Sequence, residues 1–453
     1  MPPSYILVTF LFSLLISTSP SAATDTVTLA RSLAAGDKLV SGNGKFALGF
    51  FQLNSTSNGP RWYLGIWFNT VPKLTPTWVA NRANPLANST TWQLAISSHD
   101  GNLVVTNRAN NSMPPPWSSQ QSFNHMADTF LPGAKMGWNK ATGFTHGLVS
   151  NKNSIDISPG VYSATPSSDF ANPGLFLLWN TSVVYWSAGL WNGEYFSNTP
   201  ELTARALFTF DFVSNDHEEY FTYRLRNDTM VTRYVLDVSG QAKNMIWSSV
   251  TQDWVTFYAK PAAQCDVYSV CGAFTVCRED MLPFCNCMKG FSVRSAEDWE
   301  LGDHTGGCIR NIPLNCNVTG SFYAIIDVRF PANAKHYMEA GNSDECKQAC
   351  LNDCSCTAYS YNGSCNIWKD GLFNVAQQYN QSTGGGVLYL RLAAEVDASE
   401  SSKHRRGLII GVAVGASIFT LFLFTIVAMF VRRNKKNRSS VNTVKLCWIA
   451  SRL

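Results

Sequence analysis

Residues 62–67 read Trp-Tyr-Leu-Gly-Ile-Trp, and this short run indicates the kind of fold that the N-terminal half of the chain adopts. Similar runs, Lys-Phe-Ala-Leu-Gly-Phe and Leu-Ala-Ile, stand at 45–50 and 94–96, and Gly, Asn and Pro separate the runs. No helical period persists over 24–264. Short apolar runs bounded by turn residues predict antiparallel β-sheet. We expect most tryptophans of this half to lie in the core.

The composition limits the classes of protein to which the chain can belong. Its 453 residues correspond to about three domains. Only 15% of them are charged and 13% are aromatic, a balance that argues against disorder. The formal net charge of +4 is uneven, because 432–453 carry seven basic residues and no acid, whereas 24–406 carry 28 basic and 31 acidic residues. Since the folded part has no basic excess, we expect no nucleic-acid partner.

Both ends of the chain carry signals of membrane targeting. Residues 1–23 hold an apolar stretch too short to span a bilayer and end in small residues, which predicts a cleaved signal peptide. Residues 407–431 carry no charge, and as a helix they would reach about 37 Å, enough to cross a membrane. The basic tail at 432–453 predicts a cytoplasmic C-terminus. We therefore expect a single-pass type I protein of the plasma membrane, with an extracellular N-terminus and a linker at 394–406.

A family resemblance is carried by seven runs, which cover 39–41, 46–51, 63–67, 78–82, 100–104, 128–133 and 185–193. Together they resemble the N-terminal part of the plant S-locus glycoproteins and G-type lectin S-receptor-like kinases. The resemblance implies a bulb-type mannose-binding lectin domain at 24–120 and a β-rich S-locus glycoprotein region at 121–260. The implied fold class is mainly β, and the lectin domain would be a β-prism of three four-stranded sheets.

The predicted lectin domain is shorter than the family pattern. In the family a further strand pair separates the segment matching 117–118 from the segment matching 121–123, and here the two segments are almost adjacent. Part of one sheet would then be missing, which would expose a sheet edge and apolar surface. Two alternatives follow: the domain repacks, or the chain is a splice or gene-model variant that folds poorly.

The family's sugar site follows the pattern Q-x-D-x-N-x-V-x-Y, which aligns here with Ser98, Asp100, Asn102, Val104 and Thr106. By resemblance, Asp100 and Asn102 would bind mannose hydroxyls and Val104 would pack on the sugar carbons. Ser98 and Thr106 lack the reach and the phenol of the family residues, and each lost hydrogen bond costs about 0.5–1.5 kcal/mol. The other interpretation is that 100–102 form only a hairpin turn.

Twelve of the 13 cysteines lie between Cys265 and Cys365, a density typical of an extracellular disulfide scaffold. The first six resemble an EGF-like module at 261–310, and spacing alone would allow 15 pairings for them. The resemblance implies the pairs Cys265–Cys277, Cys271–Cys285 and Cys287–Cys308.

The second six cysteines resemble those of a PAN/apple domain at 316–393. The resemblance implies the pairs Cys346–Cys365 and Cys350–Cys356, which leave Cys316 for Cys354. Asn342 followed by Glu345 predicts a capped helix with Cys346, Cys350 and Cys354 along one stripe. Zinc ligation is the competing interpretation of the closely spaced cysteines, but the extracellular context favours disulfides. We expect no metal and no cofactor.

Eight sequons precede the predicted span and predict an N-glycosylated ectodomain. They begin at Asn54, Asn88, Asn110, Asn180, Asn227, Asn317, Asn362 and Asn380.

The tail carries none of the kinase motifs H-R-D, D-F-G and the Gly-rich loop, so we expect no enzyme activity. Two functions remain open. The first function is a non-catalytic receptor-like glycoprotein that binds an extracellular peptide or glycan, or forms homo- or hetero-oligomers with receptor-like kinases. The resemblance links this family to pollen recognition and immune signalling. The alternatives are a membrane-tethered mannose-binding lectin and a non-functional truncated product of a receptor-like Ser/Thr kinase gene.

Overall fold

The computed structural model describes residues 25–53, 59–87, 91–108, 126–167, 173–203, 207–315, 320–377, 385–393 and Met429. The described chain is mainly β and rich in disulfides, as predicted. The signal peptide predicted at 1–23 lies outside the described residues, and so does the span predicted at 407–431 apart from Met429. Within the described ranges, no helix has the length and apolar character needed to cross a membrane.

The first β region, residues 25–108, contains two antiparallel sheets around one core. Its strands are β1 (Leu33–Ala34), β2 (Lys38–Val40), β3 (Phe46–Leu53), β4 (Arg61–Phe68), β5 (Pro76–Val79), β6 (Trp92–Ile96) and β7 (Leu103–Asn107). They form a three-stranded sheet of order β1-β6-β7 and a four-stranded sheet of order β2-β3-β4-β5. Both sheets supply core residues, including Leu64 from β4 and Val105 from β7. In the part of this region that the structure describes, a third sheet of the expected β-prism is not present.

The glycine of the quoted run has a packing role. Gly65 lies in β4 opposite Val79 of β5. A Cβ atom at Gly65 would collide with the carbonyl oxygen of Trp78 and with the ring of Phe51. Glycine therefore allows β5 to approach β4 closely.

The second β region, residues 126–260, has three four-stranded sheets around one core. Its strands are β8 (Thr129–Phe130), β9 (Met136–Asn139), β10 (Thr145–His146), β11 (Leu148–Asn151), β12 (Pro159–Pro166), β13 (Gly174–Trp179), β14 (Val183–Leu190), β15 (Phe208–Ser214), β16 (Glu218–Leu225), β17 (Thr232–Leu236), β18 (Ala242–Ser248) and β19 (Asp253–Lys260). The strand orders are β10-β9-β16-β15, β11-β12-β13-β14 and β19-β18-β17-β8. Tyr223, Tyr162 and Leu236, one from each sheet, meet in the common core. The three-sheet arrangement expected of the first region is therefore found in the second.

The tryptophan prediction is confirmed in part, because seven of the ten described tryptophans of 24–264 pack against the hydrophobic cores. The described tryptophans of 24–264 are half-buried, not fully buried. Two of them use their indole N–H groups as hydrogen-bond donors: Trp138 donates to the carbonyl of Ser167 at 2.8 Å, and Trp254 donates to the hydroxyl of Thr75 at 3.3 Å.

The C-terminal half joins the cysteine-rich segments into one sheet. The disulfide module, residues 261–310, has β20 (Thr275–Cys277), β21 (Cys285–Cys287), β22 (Phe291–Val293), α1 (Ala296–Glu300) and β23 (Cys308–Arg310). The C-terminal region, residues 320–393, has β24 (Ser321–Arg329), β25 (Lys335–Tyr337), α2 (Ser343–Asn352), β26 (Ala358–Tyr361), β27 (Cys365–Trp368), β28 (Ala376–Gln377) and β29 (Gly386–Leu392). An eight-stranded sheet of order β21-β20-β28-β24-β29-β26-β27-β25 spans both. The two segments are thus one structural unit, because Cys277 of β20 pairs in parallel with Ala376 of β28.

Candidate functional site

The predicted sugar motif lies in the hairpin between β6 and β7. Asp100 and Asn102 occupy the connecting turn, whereas Val104 lies in β7 opposite Ala95 of β6. Asp100 and Asn102 are exposed and Val104 is half-buried. The structure therefore places the three predicted residues along one short segment. The polar side chains of Asp100 and Asn102 lie at its surface.

The polar groups of this turn bind one another. Asn102 donates its side-chain amide to Oδ2 of Asp100 at 2.7 Å and its backbone N–H to Oδ1 at 3.2 Å. Hydrogen bonds from Ser97, and then from Asn102, hold the pKa of the Asp100 carboxyl below its usual range. Gly101, with φ of +72°, closes the turn in a left-handed conformation that favours glycine. These contacts are those of a hairpin turn.

The five disulfides among the described cysteines coincide with the implied pairs. The structure joins Cys265 to Cys277, Cys271 to Cys285, Cys287 to Cys308, Cys346 to Cys365 and Cys350 to Cys356. Cys354 is also disulfide-bonded. Because Cys316 lies outside the described residues, its pairing with Cys354 stays a prediction. Among the residues that the structure describes, no group of three or more His, Cys, Asp or Glu side chains is arranged to hold a metal ion.

Helix α2 starts as predicted and ends earlier than predicted. The side chain of Asn342 caps it by accepting the Glu345 backbone N–H at 2.9 Å, and Glu345 accepts the backbone N–H of Gly341 at 2.7 Å. The predicted stripe of three cysteines was wrong, because α2 ends at Asn352 and Asp353 is extended. Cys346 and Cys350 therefore lie on the helix and Cys354 lies beyond it.

Sequence reasoning missed the arginine that holds the end of α2. Arg391 of β29 is only 3% exposed, and its Nη1 donates to the carbonyls of Asp353 at 2.8 Å and Cys350 at 3.1 Å. It thereby satisfies carbonyls that the end of a helix leaves without partners. Burial lowers the pKa of Arg391. No local signal marks this residue, since its partners lie about 40 positions earlier in the chain.

A second missed arginine connects the two β regions. Arg82, which ends the quoted run at 78–82, donates Nε to the carbonyl of Ile157 at 2.9 Å and Nη2 to the carbonyl of Ser150 at 2.9 Å. Arg61 of β4 pairs with Asp156 at 2.7 Å across the same boundary. Ile157 packs with residues of the first region in a small shared core. These contacts hold the two β regions against each other.

Comparison with known proteins shows which family of proteins this chain resembles. An S-locus glycoprotein domain model matches residues 186–295, and a PAN-like domain model matches residues 316–375. The S-locus-specific glycoprotein S6 of Brassica oleracea is 31% identical over 432 residues, which cover 86% of this chain and 96% of that protein. The chain belongs to the S-locus glycoprotein family.

Receptor kinases of this S-locus glycoprotein family are similar over nearly the whole chain. A G-type lectin S-receptor-like serine/threonine-protein kinase of Arabidopsis thaliana is 32% identical, with 91% of this chain and 54% of that kinase covered. A receptor-like serine/threonine-protein kinase of the same plant is also 32% identical, with coverage of 96% and 55%. The chain therefore spans about half the length of the receptor kinases that it matches.

The structure describes three of the eight predicted glycosylation sites. Asn180, Asn227 and Asn362 are exposed, and the other five sequons before 407 lie outside the described residues. Asn180 stands in the turn between β13 and β14, and Asn227 follows β16. The Thr229 hydroxyl donates to Oδ1 of Asn227 at 2.7 Å. Glycosylation at these three exposed positions stays a prediction.

Proposed function

We propose that this chain is a receptor-like membrane glycoprotein that acts by binding, not by catalysis. Its extracellular part would bind a peptide or glycan ligand, or associate with itself or with receptor-like kinases of the same family. The observation that carries the proposal is the 31% identity over 96% of an S-locus-specific glycoprotein.

The proposal includes the placement of the chain in the cell. The uncharged segment at 407–431 would anchor the protein in the plasma membrane as a single-pass type I span, with the basic segment 432–453 on the cytoplasmic side. The eight sequons would then carry extracellular glycans. Three of them are exposed on the described surface, as the attachment of a glycan requires.

Mannose binding is the competing function, and the hairpin geometry argues against it. Asp100 and Asn102 use their side chains on each other. A sugar bound there would have to compete with these hydrogen bonds, and Thr106 supplies no phenol to compensate. We therefore propose that the hairpin has a structural role.

The experiment is a paired binding assay on the epitope-tagged full chain in detergent. One arm applies a glycan array to the wild type and to Asp100→Ala. The other arm co-expresses the chain with a tagged G-type lectin receptor kinase and measures co-purification. Kinase association without mannose binding is the expected result. Clear mannose binding that Asp100→Ala abolishes, without kinase association, would favour a tethered lectin.

A further inference from the structure

The sheet β11-β12-β13-β14 of the second β region has an uncharged outer face. None of its four strands contains an acidic or basic residue. Tyr162, Ala164 and Leu177 lie in the core, so the residues that alternate with them along the strands point outward. Strand pairing places these outward residues side by side on one surface. They include Val161, Ser163, Thr165, Phe176, Leu178 and Val184.

The other two sheets of this region have charged outer faces. On the sheet β10-β9-β16-β15, Arg224 and Asp211 form an ion pair at 2.8 Å on the side away from the core. On the sheet β19-β18-β17-β8, Arg233 and Lys243 face the first β region across a cavity. Among the strands that the structure describes in this region, the sheet of β11 to β14 is therefore the one without a charged side chain.

The apolar surface of this face is most exposed at one end of the sheet. Val161 of β12 is 38% exposed and Val184 of β14 is 53% exposed. Leu178 of β13 pairs with Val184, and the carbonyl of Val161 accepts the backbone N–H of Asn180 at 2.8 Å. The two exposed valines thus lie beside the turn that joins β13 to β14. A contiguous apolar surface of this kind indicates a contact site.

A glycosylation sequon stands in the same turn. Asn180, Thr181 and Ser182 form the sequon, and all three residues are exposed. Asn180 follows Leu178 by two positions, which is the spacing of residues that share one face of a strand. A glycan attached to Asn180 would therefore begin next to Val161, at the exposed end of the uncharged face.

We propose that an N-glycan on Asn180 lies on this face and covers Val161, Leu178 and Val184. A sugar ring presents C–H groups on its faces, so it can pack against aliphatic side chains while its hydroxyl groups stay in water. The face suits such a contact because it has no charged group that a sugar would withdraw from water. The inference deepens the glycoprotein function proposed above and rests on the extracellular placement of this part of the chain.

The test variants remove the sequon and leave Asn180 in place. Asn180 has φ of +47°, a left-handed conformation that asparagine tolerates better than most residues, so replacing it would strain the turn whether or not a glycan is present. Ser182 donates its backbone N–H to the carbonyl of Trp179 at 3.2 Å, and alanine keeps this hydrogen bond. Ser182→Ala therefore removes the sequon, whereas the matched control Ser182→Thr retains it.

Glycopeptide mass spectrometry and thermal unfolding are applied to the full chain, expressed in plant cells and purified in detergent. Asn180 should carry a glycan in the wild type and in Ser182→Thr. Ser182→Ala should lower the melting temperature by about 2–4 °C, and Ser182→Thr should melt as the wild type does. Ser364→Ala, which removes the sequon of the exposed Asn362, controls for general loss of a glycan and should also melt as the wild type does. An unglycosylated Asn180 would overturn the proposal, and so would a melting temperature that Ser182→Ala leaves unchanged.

A double-mutant cycle establishes whether the glycan contacts the face. In a chain that carries Val161→Ser and Val184→Ser, the glycan has less apolar surface to cover, so Ser182→Ala should lower the melting temperature by a smaller amount. Val250→Ser is the control background, because Val250 is 91% exposed in the turn between β18 and β19, and there the loss should stay complete. Equal losses in the three backgrounds would overturn the proposal. If the double variant does not fold, Val184→Ser alone decides.

Sedimentation of the purified wild type tests the other occupant, a second copy of the chain. A wild-type dimer that Val184→Arg converts into a monomer would show that a second copy covers the face, and would overturn the proposal. None of these measurements contains a receptor kinase. Additive losses with intact kinase association would therefore reject the glycan contact and leave the proposed function standing, whereas a coupled loss without kinase association would do the reverse.

Discussion

Arg82 donates a hydrogen bond from Nη2 to Oδ1 of Asn151 at 2.9 Å, across the boundary between the two β regions. Asn151 in turn donates its amide to Oδ2 of Asp128 at 2.9 Å. A chain of three polar side chains thus runs from the first region into the second. Because these groups are largely withdrawn from water, breaking the chain would leave buried polar atoms without partners.

Arg82→Lys should weaken the contacts between the two β regions and so lower the free energy of unfolding. A lysine cannot reproduce the fork of Arg82, which donates to the carbonyls of Ile157, Val149 and Ser150 and to Asn151. We expect a loss of about 2 kcal/mol or more in the free energy of unfolding. Urea unfolding followed by tryptophan fluorescence measures this loss.

The matched control for this prediction is Arg31→Lys, at an exposed arginine of the first region. It should unfold within about 0.5 kcal/mol of the wild type. Equal stabilities for Arg82→Lys and the control would show that Arg82 does not couple the regions.

Arg391→Lys should weaken the C-terminal region. The Nη1 atom of Arg391 serves the carbonyls of Asp353 and Cys350, and a lysine amine cannot hold the same planar position. We expect the free energy of unfolding to fall by about 2 kcal/mol. Amide hydrogen exchange should increase at the end of α2. The exposed Arg294, which donates to the Gly306 carbonyl at 3.1 Å, provides the control Arg294→Lys. Unchanged exchange at α2 in Arg391→Lys would contradict the assigned role.

Ionisation of Asp353 should make the free energy of unfolding depend on pH under acidic conditions. Hydrogen bonds from Lys369, and then from Ser355, lower the pKa of Asp353 from 3.8 to about 2. Because the folded pKa is the lower one, the stabilisation is present above about pH 4 and is lost as the pH falls toward 2. Asp353→Asn should therefore be less stable than the wild type at pH 7, and the difference should vanish below pH 2.

Thermal unfolding from pH 7 to about pH 1.5 measures that difference. Asp370→Asn, at an exposed neighbouring position, is the control and should run parallel to the wild type. A difference between Asp353→Asn and the wild type that persists unchanged below pH 2 would show that ionisation of Asp353 is not its cause.

His304 should cause a second loss of stability at mildly acidic pH. Its ring packs edge-on against Trp299 at 4.6 Å and Phe284 at 5.2 Å, and burial lowers the pKa of His304. The unfolded chain therefore takes up the proton first, so stability is present above about pH 6.5 and declines as the pH falls below it. His304→Gln should remove this decline between pH 7.5 and 5, whereas the exposed-site control His217→Gln should keep it. An identical decline in His304→Gln would contradict the assignment.

Local sequence signals predicted the features that depend on nearby residues. Short apolar runs predicted the strands, and the spacing of Asn342 and Glu345 predicted the start of α2, because both depend on contacts within a few positions. The implied disulfide pairs required the family resemblance, since spacing alone leaves many pairings open.

Features set by distant contacts could not be predicted in the same way. The shared sheet depends on Cys277 meeting Ala376, about 100 positions later. Arg82 and Arg391 bind carbonyls of other segments, and a carbonyl carries no side-chain signal in the sequence. The sugar motif was visible as a pattern, but its internal hydrogen bonds depend on how the turn closes.

Association with a receptor kinase tests the central claim most directly. The full chain is co-expressed with a tagged G-type lectin receptor kinase, solubilised in detergent and isolated through the kinase tag, with and without methyl α-mannoside. A single-pass protein with an unrelated ectodomain serves as the control for non-specific capture. The account predicts that the kinase retains the chain, and not the control, and that mannoside leaves the retention unchanged. Retention no greater than that of the control, with the chain held instead on mannose–agarose and released by free mannose, would contradict it.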